Sequence, residues 1–276
     1  MLNDILTALA AVVLLGLLLG ILLAVFIRYF GIEEDKKVKK IRDALPGINC
    51  GACGYTGCGD YAEALVKGTA KPNLCIPGSS KVASQLGEIL GIETEALFQT
   101  VAFVHCGGTC DAAGEKARYE GIASCRGSGM FFGGPKSCTY GCVGCGDCAK
   151  VCPSDAVHIV NGTAQIDKSR CVGCGLCVRE CPKNIISMIP KHASAAVLCS
   201  GHDKAAASRK ACKNACIGCG KCEKACPYGA VNVISNCAVI DYSKCTGCGL
   251  CAEACPAGSI KKTTPRISSD RVGLPS

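Results

Sequence analysis

One cysteine phrase, C-x2-C-x2-C-x3-C-P, occurs four times between residues 142 and 256 of this 276-residue chain. It restricts the possible folds more than any other feature, because each copy places four thiols and a proline within twelve residues. The copies are Cys142, Cys145, Cys148, Cys152 and Pro153; Cys171, Cys174, Cys177, Cys181 and Pro182; Cys216, Cys219, Cys222, Cys226 and Pro227; and Cys245, Cys248, Cys251, Cys255 and Pro256.

This spacing is typical of two-cluster ferredoxins, in which three thiolates hold three irons of a [4Fe-4S] cube and the fourth cysteine ligates the partner cluster. Because the fourth cysteine of each phrase binds the partner cluster, the four phrases give four ligand sets. Cluster one takes Cys142, Cys145, Cys148 and Cys181; cluster two takes Cys171, Cys174, Cys177 and Cys152; cluster three takes Cys216, Cys219, Cys222 and Cys255; cluster four takes Cys245, Cys248, Cys251 and Cys226.

Structural zinc and disulfides explain the phrases less well. A zinc ion needs four ligands and leaves the third closely spaced cysteine of each phrase without a role. The 27 cysteines are an odd number, and adjacent C-x-x-C triplets have poor disulfide geometry. We therefore interpret the phrases as iron-sulfur ligands.

An internal duplication underlies the four phrases. Adding 74 to each cysteine of the first two copies gives a cysteine of the last two, and the same shift relates Cys125 to Cys199 and Cys138 to Cys212. Short β-rich runs over residues 156–166 and 230–240 separate the phrases within each copy. We predict that these runs form the hairpins of two ferredoxin-like modules.

A further cysteine set precedes the modules. Cys50, Cys53, Cys58 and Cys75 are spaced C-x2-C-x4-C-x16-C, with glycines among them. We predict a fifth [4Fe-4S] cluster here, with structural zinc as the alternative. Residues 60–67 are predicted to form a short amphipathic helix behind it.

Several cysteines belong neither to the four phrases nor to the N-terminal set. Cys106, Cys110, Cys125 and Cys138 could together hold a sixth cluster. The alternative is that free cysteine packs as a small buried apolar residue. The same two interpretations apply to Cys199, Cys212 and Cys237.

The N-terminus carries an apolar run from Ile5 to Ile27 without a charged residue. At about 1.5 Å per residue it is long enough for a bilayer core of about 30 Å. We predict a retained single-pass anchor rather than a cleaved signal peptide, which has a shorter apolar region and a basic start. Basic residues follow the run between Arg28 and Arg42, which predicts an outside N-terminus and a cytoplasmic body.

Composition limits the other function classes. Aromatic residues make up 5 % of the chain and tryptophan is absent, so large apolar cores are not expected. The formal net charge of +8 counts cysteines as neutral. Five oxidised cubes with their thiolates would contribute about −10. This correction argues against nucleic-acid binding.

The stretch from Leu45 to Cys58, L-P-G-x-N-C-G-x-C-G-x-x-G-C, with a distant C-x-P-G at Cys75, resembles the B subunit of the Rnf (Rsx) complex. The anchor and the duplicated ferredoxin module make the chain similar to the long form of that family. The resemblance implies an electron-transfer subunit of a membrane-bound ferredoxin:NAD oxidoreductase that transports sodium ions or protons. It also implies soluble ferredoxin as electron donor, and other membrane and flavin-bearing subunits as partners.

The same resemblance implies that Cys145 falls at a position that is often not cysteine, so Cys138 is an alternative ligand for cluster one. No nucleotide-binding loop or catalytic constellation occurs in the sequence. We therefore expect no catalytic residues in this chain, although a catalytic reductase subunit and a redox sensor are alternative functions. Chemistry on NAD would take place in another subunit.

These features predict an α+β protein with seven segments. They are a transmembrane anchor (1–29), a charged helical stalk (30–44), an N-terminal [4Fe-4S] domain (45–104), a cysteine-containing connection (105–137), ferredoxin module 1 (138–190), ferredoxin module 2 (191–263) and a polar, mobile tail (264–276).

Overall fold

The computed structural model describes residues 2–30, 35–94 and 99–263, so the predicted tail and residues 31–34 of the predicted stalk lie outside the described residues. The helices are α1 Leu2–Phe30, α2 Lys36–Ala44, α3 Cys58–Val66, α4 Ser79–Leu90, α5 Cys125–Met130, α6 Asp147–Lys150, α7 Leu176–Glu180, α8 Ala205–Ala211, α9 Lys221–Lys224 and α10 Leu250–Glu253. The strands are β1 Thr100–Val104, β2 Val157–Val160, β3 Thr163–Ile166, β4 Ile186–Pro190, β5 Ala195–Val197, β6 Val231–Ile234, β7 Cys237–Ile240 and β8 Ile260–Lys262.

The predicted anchor is a single helix, α1. Its segment Asn3–Arg28 is long and apolar enough to cross a membrane. Large apolar side chains along it, such as Leu14 and Leu18, are more than half exposed in the isolated chain. A row of exposed apolar side chains is what a lipid-facing helix requires.

The N-terminal iron-sulfur domain packs three helices around a small apolar core. Ile41 of α2, Tyr61 of α3 and Leu86 of α4 are fully buried in this core. The predicted helix over residues 60–67 is thus present as α3. Helix α2 lies in the segment predicted as a stalk, and Ile41 makes it part of this domain as well.

The two predicted hairpins are confirmed. Strands β2 and β3 pair antiparallel with Val157 opposite Ile166, and β6 and β7 pair with Val231 opposite Ile240. The second pair is in the register that the 74-residue shift predicts. The architecture of tandem ferredoxin-like modules, with mixed helices and strands, is therefore the one expected.

Each module also has a second strand pair, which the cysteine spacing did not predict. In module 1, β1 pairs antiparallel with β4, and in module 2, β5 pairs with β8. Strand β1 lies within the range expected for the N-terminal domain, but its partner β4 lies in module 1. Pairing between strands that are distant in sequence depends on side-chain packing. The cysteine spacing therefore contains no information about it.

Candidate metal centres

The third ligand set encloses a cavity in module 2. The cavity, open on one side, has a volume of about 300 Å³, and its walls carry Cys216, Cys219, Cys222 and Cys255. Cys216 and Cys219 lie in the loop before α9 and Cys222 lies on α9, whereas Cys255 lies two residues after the end of α10. The structure therefore brings Cys255, the fourth cysteine of the last phrase, to the same cavity as the first three cysteines of the third phrase.

Sets two and four gather in the same crossed manner. Burial and then the nearby thiolates of Cys171, Cys174 and Cys152 together raise the pKa of Cys177 to about 12. Cys251 likewise has a raised pKa, from burial and then from its neighbours Cys245, Cys226 and Cys248. Four mutually repelling thiolates at one point are the arrangement that a cationic iron cluster neutralises.

The N-terminal set also converges. Burial raises the pKa of Cys75, and the thiolates of Cys58, Cys50 and Cys53 add to the rise. The Cys58 amide donates to Asn49 Oδ1 at 2.8 Å, which fixes the loop at the start of α3.

Backbone amides point at the thiols of these sets. Ala156 N donates to Cys152 Sγ at 3.3 Å, and Ala230 N makes the equivalent bond to Cys226 at 3.4 Å. The Ala102 amide donates to Cys171 Sγ at 3.4 Å. Amide donors to sulfur stabilise cluster ligands and tune cluster potential.

Gly144 shows why the loops need glycine. It has φ of 89°, in the left-handed region that other residues rarely adopt. A Cβ at this position would also lie only 2.5 Å from the carbonyl oxygen of Gly162 in the turn between β2 and β3. The hairpin can therefore close over the first cysteine loop only if residue 144 has no side chain.

The site predicted for cluster one differs in one thiol. A cavity of about 350 Å³ carries Cys142, Cys148 and Cys181 on its walls, but the fourth cysteine there is Cys125. The predicted ligand Cys145 lies close to Cys125, and its pKa is raised by burial and then by the charge of Cys125. Cys138, the alternative ligand, lines a different cavity.

Cys125 is held firmly in that position. It is the first residue of α5, it is buried, and its amide donates to Asp147 Oδ2 at 2.6 Å. Asp147 begins α6, the short helix that also carries Cys148. Sequence analysis grouped Cys125 with the unassigned thiols, because its distance along the chain from the phrase gave no indication of this contact.

The unassigned thiols separate into two groups. Cys106 and Cys138 lie together, but the other two cysteines on the walls of their cavity are Cys199 and Cys212. Cys110 is exposed and its thiol lies beside Gly162. The structure thus does not bring Cys110 and Cys125 to the site where the sequence placed them.

The donor sets fit iron-sulfur cubes rather than single ions. Within the described ranges, no three His, Cys, Asp or Glu side chains are close enough to hold one metal ion. The thiols nevertheless surround cavities in sets of four, as a cluster with several metal atoms requires. All the ligands are sulfur, which favours iron-sulfur clusters over harder cations.

The N-terminal set adjoins module 1. The Arg179 guanidinium on α7 donates to the backbone oxygen of Cys50. Burial raises the pKa of Cys174, and the first charged neighbour that raises it further is Cys50. The fifth ligand set and that of cluster two are therefore neighbours.

Comparison with known families agrees with these assignments. An Fe-S cluster family model matches residues 45–77, and 4Fe-4S dicluster domain models match residues 141–185 and 170–231. A 4Fe-4S binding domain model matches residues 238–261. The number of clusters does not follow from these matches.

Three curated relatives cover most of the chain. The B subunit of the Na(+)-translocating ferredoxin:NAD(+) oxidoreductase complex of Acetobacterium woodii is 42% identical over 88% of this chain and 74% of its own. The corresponding subunit of the proton-translocating complex of Clostridium ljungdahlii is 43% identical over 87% of this chain and 86% of its own. The B subunit of an ion-translocating oxidoreductase complex of Methanosarcina acetivorans is 35% identical over 72% and 76%.

Proposed function

Because the chain belongs to the family of B subunits of ion-translocating ferredoxin:NAD(+) oxidoreductase complexes, we propose that it is the iron-sulfur electron-transfer subunit of such a complex. It accepts electrons from reduced soluble ferredoxin and delivers them to other subunits of the complex, some of which are membrane-embedded and flavin-bearing. The coupled ion is Na⁺ or H⁺. When bound, the clusters carry single electrons, and the chain's own residues position them.

The adjacency of the ligand sets is the observation that carries this proposal. The N-terminal set adjoins set two through Cys50 and Cys174. Set two adjoins set one, since Cys177 of set two and Cys148 of set one lie in the same buried cluster. Burial and then the neighbouring thiolates, Cys177 among them, raise the pKa of Cys148 to about 12. A row of neighbouring redox centres serves electron transfer, whereas a sensor needs only one labile centre.

We assign the ligands of five [4Fe-4S] clusters as the sequence predicted, with one change. For cluster one we propose Cys125 in place of Cys145, because Cys125 is buried on the cavity wall and Cys145 is not part of that wall. The other four sets are those of Cys50, Cys171, Cys216 and Cys245 with their partners.

Serine variants test the change at cluster one. Cys125→Ser should remove iron equivalent to about one cube, because it deletes a ligand, and Cys145→Ser should leave the iron content nearly unchanged. Cys219→Ser is the matched control and should lose one cube. Cys219 occupies the position in module 2 that corresponds to Cys145, but it lines the cavity of set three. Iron and sulfide are measured on anaerobically purified full-length protein. If Cys145→Ser loses a cube and Cys125→Ser does not, the assignment is wrong.

We further propose that the chain spans the cytoplasmic membrane once, through α1, with the N-terminus outside. Asp4 precedes the apolar segment, whereas Arg28 and the basic residues of α2 follow it. Positive residues remain on the cytoplasmic side. A reporter fused after Ser276 should be active only in the cytoplasm, and periplasmic activity would reverse the orientation.

The electron-carrier function is tested on the full-length protein in detergent. Reduced ferredoxin should bleach its visible absorbance, and the protein alone should not reduce NAD(+), because no nucleotide-binding motif is present in its sequence. Cys174→Ala should slow electron flow through the reconstituted complex, since it removes a ligand of set two. Cys110→Ser is the control, as Cys110 is exposed and outside the sets. NAD(+) reduction by this chain alone at the rate of the complex would show it to be a catalytic reductase.

A further inference from the structure

Four thiols outside the ferredoxin phrases line a cavity between the two modules. They are Cys106, Cys138, Cys199 and Cys212, and the cavity has a volume of about 420 Å³. The comparable cavities of sets one and three are of about 350 and 300 Å³. We propose that these four cysteines hold a sixth [4Fe-4S] cluster. The proposal rests on one part of the proposed function, namely that the chain binds iron-sulfur clusters.

The strand register makes Cys106 and Cys199 equivalent residues. Val104, the last residue of β1, pairs with Ile186, and Val197, the last of β5, pairs with Ile260. Ile186 and Ile260 are related by the 74-residue shift. Each cysteine follows its strand by two residues. The two modules thus contribute one thiol each from the same place in the fold.

Backbone amides at equivalent positions of the two modules donate to these two thiols. Gly108 N donates to Cys106 Sγ at 3.4 Å, and Gly201 N donates to Cys199 Sγ at 3.4 Å. Cys106 also accepts from the Cys142 amide at 3.2 Å, and the amide of Cys216 lies near the thiol of Cys199.

Cys138 and Cys212 are the second equivalent pair. Each lies four residues before the first cysteine of a phrase. The amides of Tyr140 and Gly141 lie near the thiol of Cys138, and the amide of Asn214 lies near the thiol of Cys212. Every thiol of the site therefore has a backbone amide close by, as the ferredoxin ligands described above have. Each module contributes two equivalent thiols.

Two glycines leave room at the centre of the site. A Cβ on Gly108 would lie 3.4 Å from Cys106 Sγ and 3.7 Å from Cys212 Sγ. A Cβ on Gly141 would lie 3.6 Å from the thiols of both Cys106 and Cys138. Neither glycine has the positive φ that would itself demand glycine. A Cβ at these distances would make ordinary van der Waals contact with the thiols, so glycine adds free space beside them without being required there.

The other polar side chains on the cavity wall already have partners. The two ring nitrogens of His105 lie 2.8 Å from Val197 O and 2.6 Å from Ser187 Oγ. Asp203 Oδ1 accepts from the Tyr140 hydroxyl at 3.4 Å. Four thiols remain as the ligands. In the described part of the chain they do not form a single-ion site, so a cube fits them better than zinc.

The position of this site gives it a role. The amide of Cys142, in set one, donates to Cys106 Sγ, and the amide of Cys216, in set three, lies near Cys199 Sγ. The modules are joined beside it, where Gly107 N donates to Leu198 O at 2.8 Å and Asn214 Nδ2 donates to Gly107 O at 2.8 Å. A cluster held here would connect the two ferredoxin modules.

The test compares iron and acid-labile sulfide in anaerobically purified full-length proteins. Wild-type protein should contain about 24 irons and 24 sulfides, the content of six cubes. Cys106→Ser and Cys212→Ser, one from each module, should each lose about four of both, and the double variant should lose no more than either single variant. Cys110→Ser, a surface control, should lose none. A loss confined to one cube shows that the other sets remain loaded and folded.

A wild-type content of about 20 irons with no loss in either variant would overturn the proposal, and so would one zinc ion per chain that disappears in Cys106→Ser. The wild-type count decides the question even if a variant misfolds. Failure of the proposed function is a separate result, since it would leave wild-type protein unreduced by ferredoxin whatever its iron content.

Discussion

The structure of this protein depends on bonds between cysteine thiolates and iron. The two modules have small cores in which cysteines stand among alanines, valines and isoleucines, and the helices that carry ligands, such as α6 and α9, are only four residues long. Helices of this length are not stable alone. A cluster bound by residues from distant segments supplies the connections that a larger apolar core supplies elsewhere, so its binding free energy contributes directly to folding.

The same constraint places the redox centres next to one another. In the proposed assignment each fourth cysteine crosses to the partner set, so the two sets of a module must lie close together. The strand pairs β1–β4 and β5–β8 then bring Cys106 and Cys199 to the face where the modules meet. Buried Lys136 strengthens this region, since its ammonium donates to Gly108 O at 2.7 Å and Gly162 O at 2.6 Å. Its positive charge also lies near the thiol of Cys142.

Spacing within the phrases predicted the hairpins and the crossed sets, because ligands a few residues apart are constrained by local geometry. The environment of Cys125 could not be predicted, since it depends on a hydrogen bond to Asp147, 22 residues away. The 74-residue shift also paired Cys125 with Cys199, whereas the strand register makes Cys106 the counterpart. The separation from Cys106 to Cys142 is 36 residues and from Cys199 to Cys216 is 17, so module 1 has an insertion there. Cys138 and Cys212 both stand in a C-x3-C spacing, each before the first cysteine of a phrase. This shared spacing was the sequence feature that could have indicated their equivalence.

Hydrogen exchange before and after iron removal tests the dependence of the fold on its clusters most directly. Full-length protein in detergent is chelated anaerobically under reducing conditions and compared with the loaded form. Amides of β1, β4, β5 and β8 should lose their protection, while those of α1 should keep it, because α1 contains no ligand. Rebinding of iron and sulfide should restore protection. If the strands of the iron-free protein remain as protected as those of the loaded protein, the apolar cores suffice and the clusters do not hold the fold together.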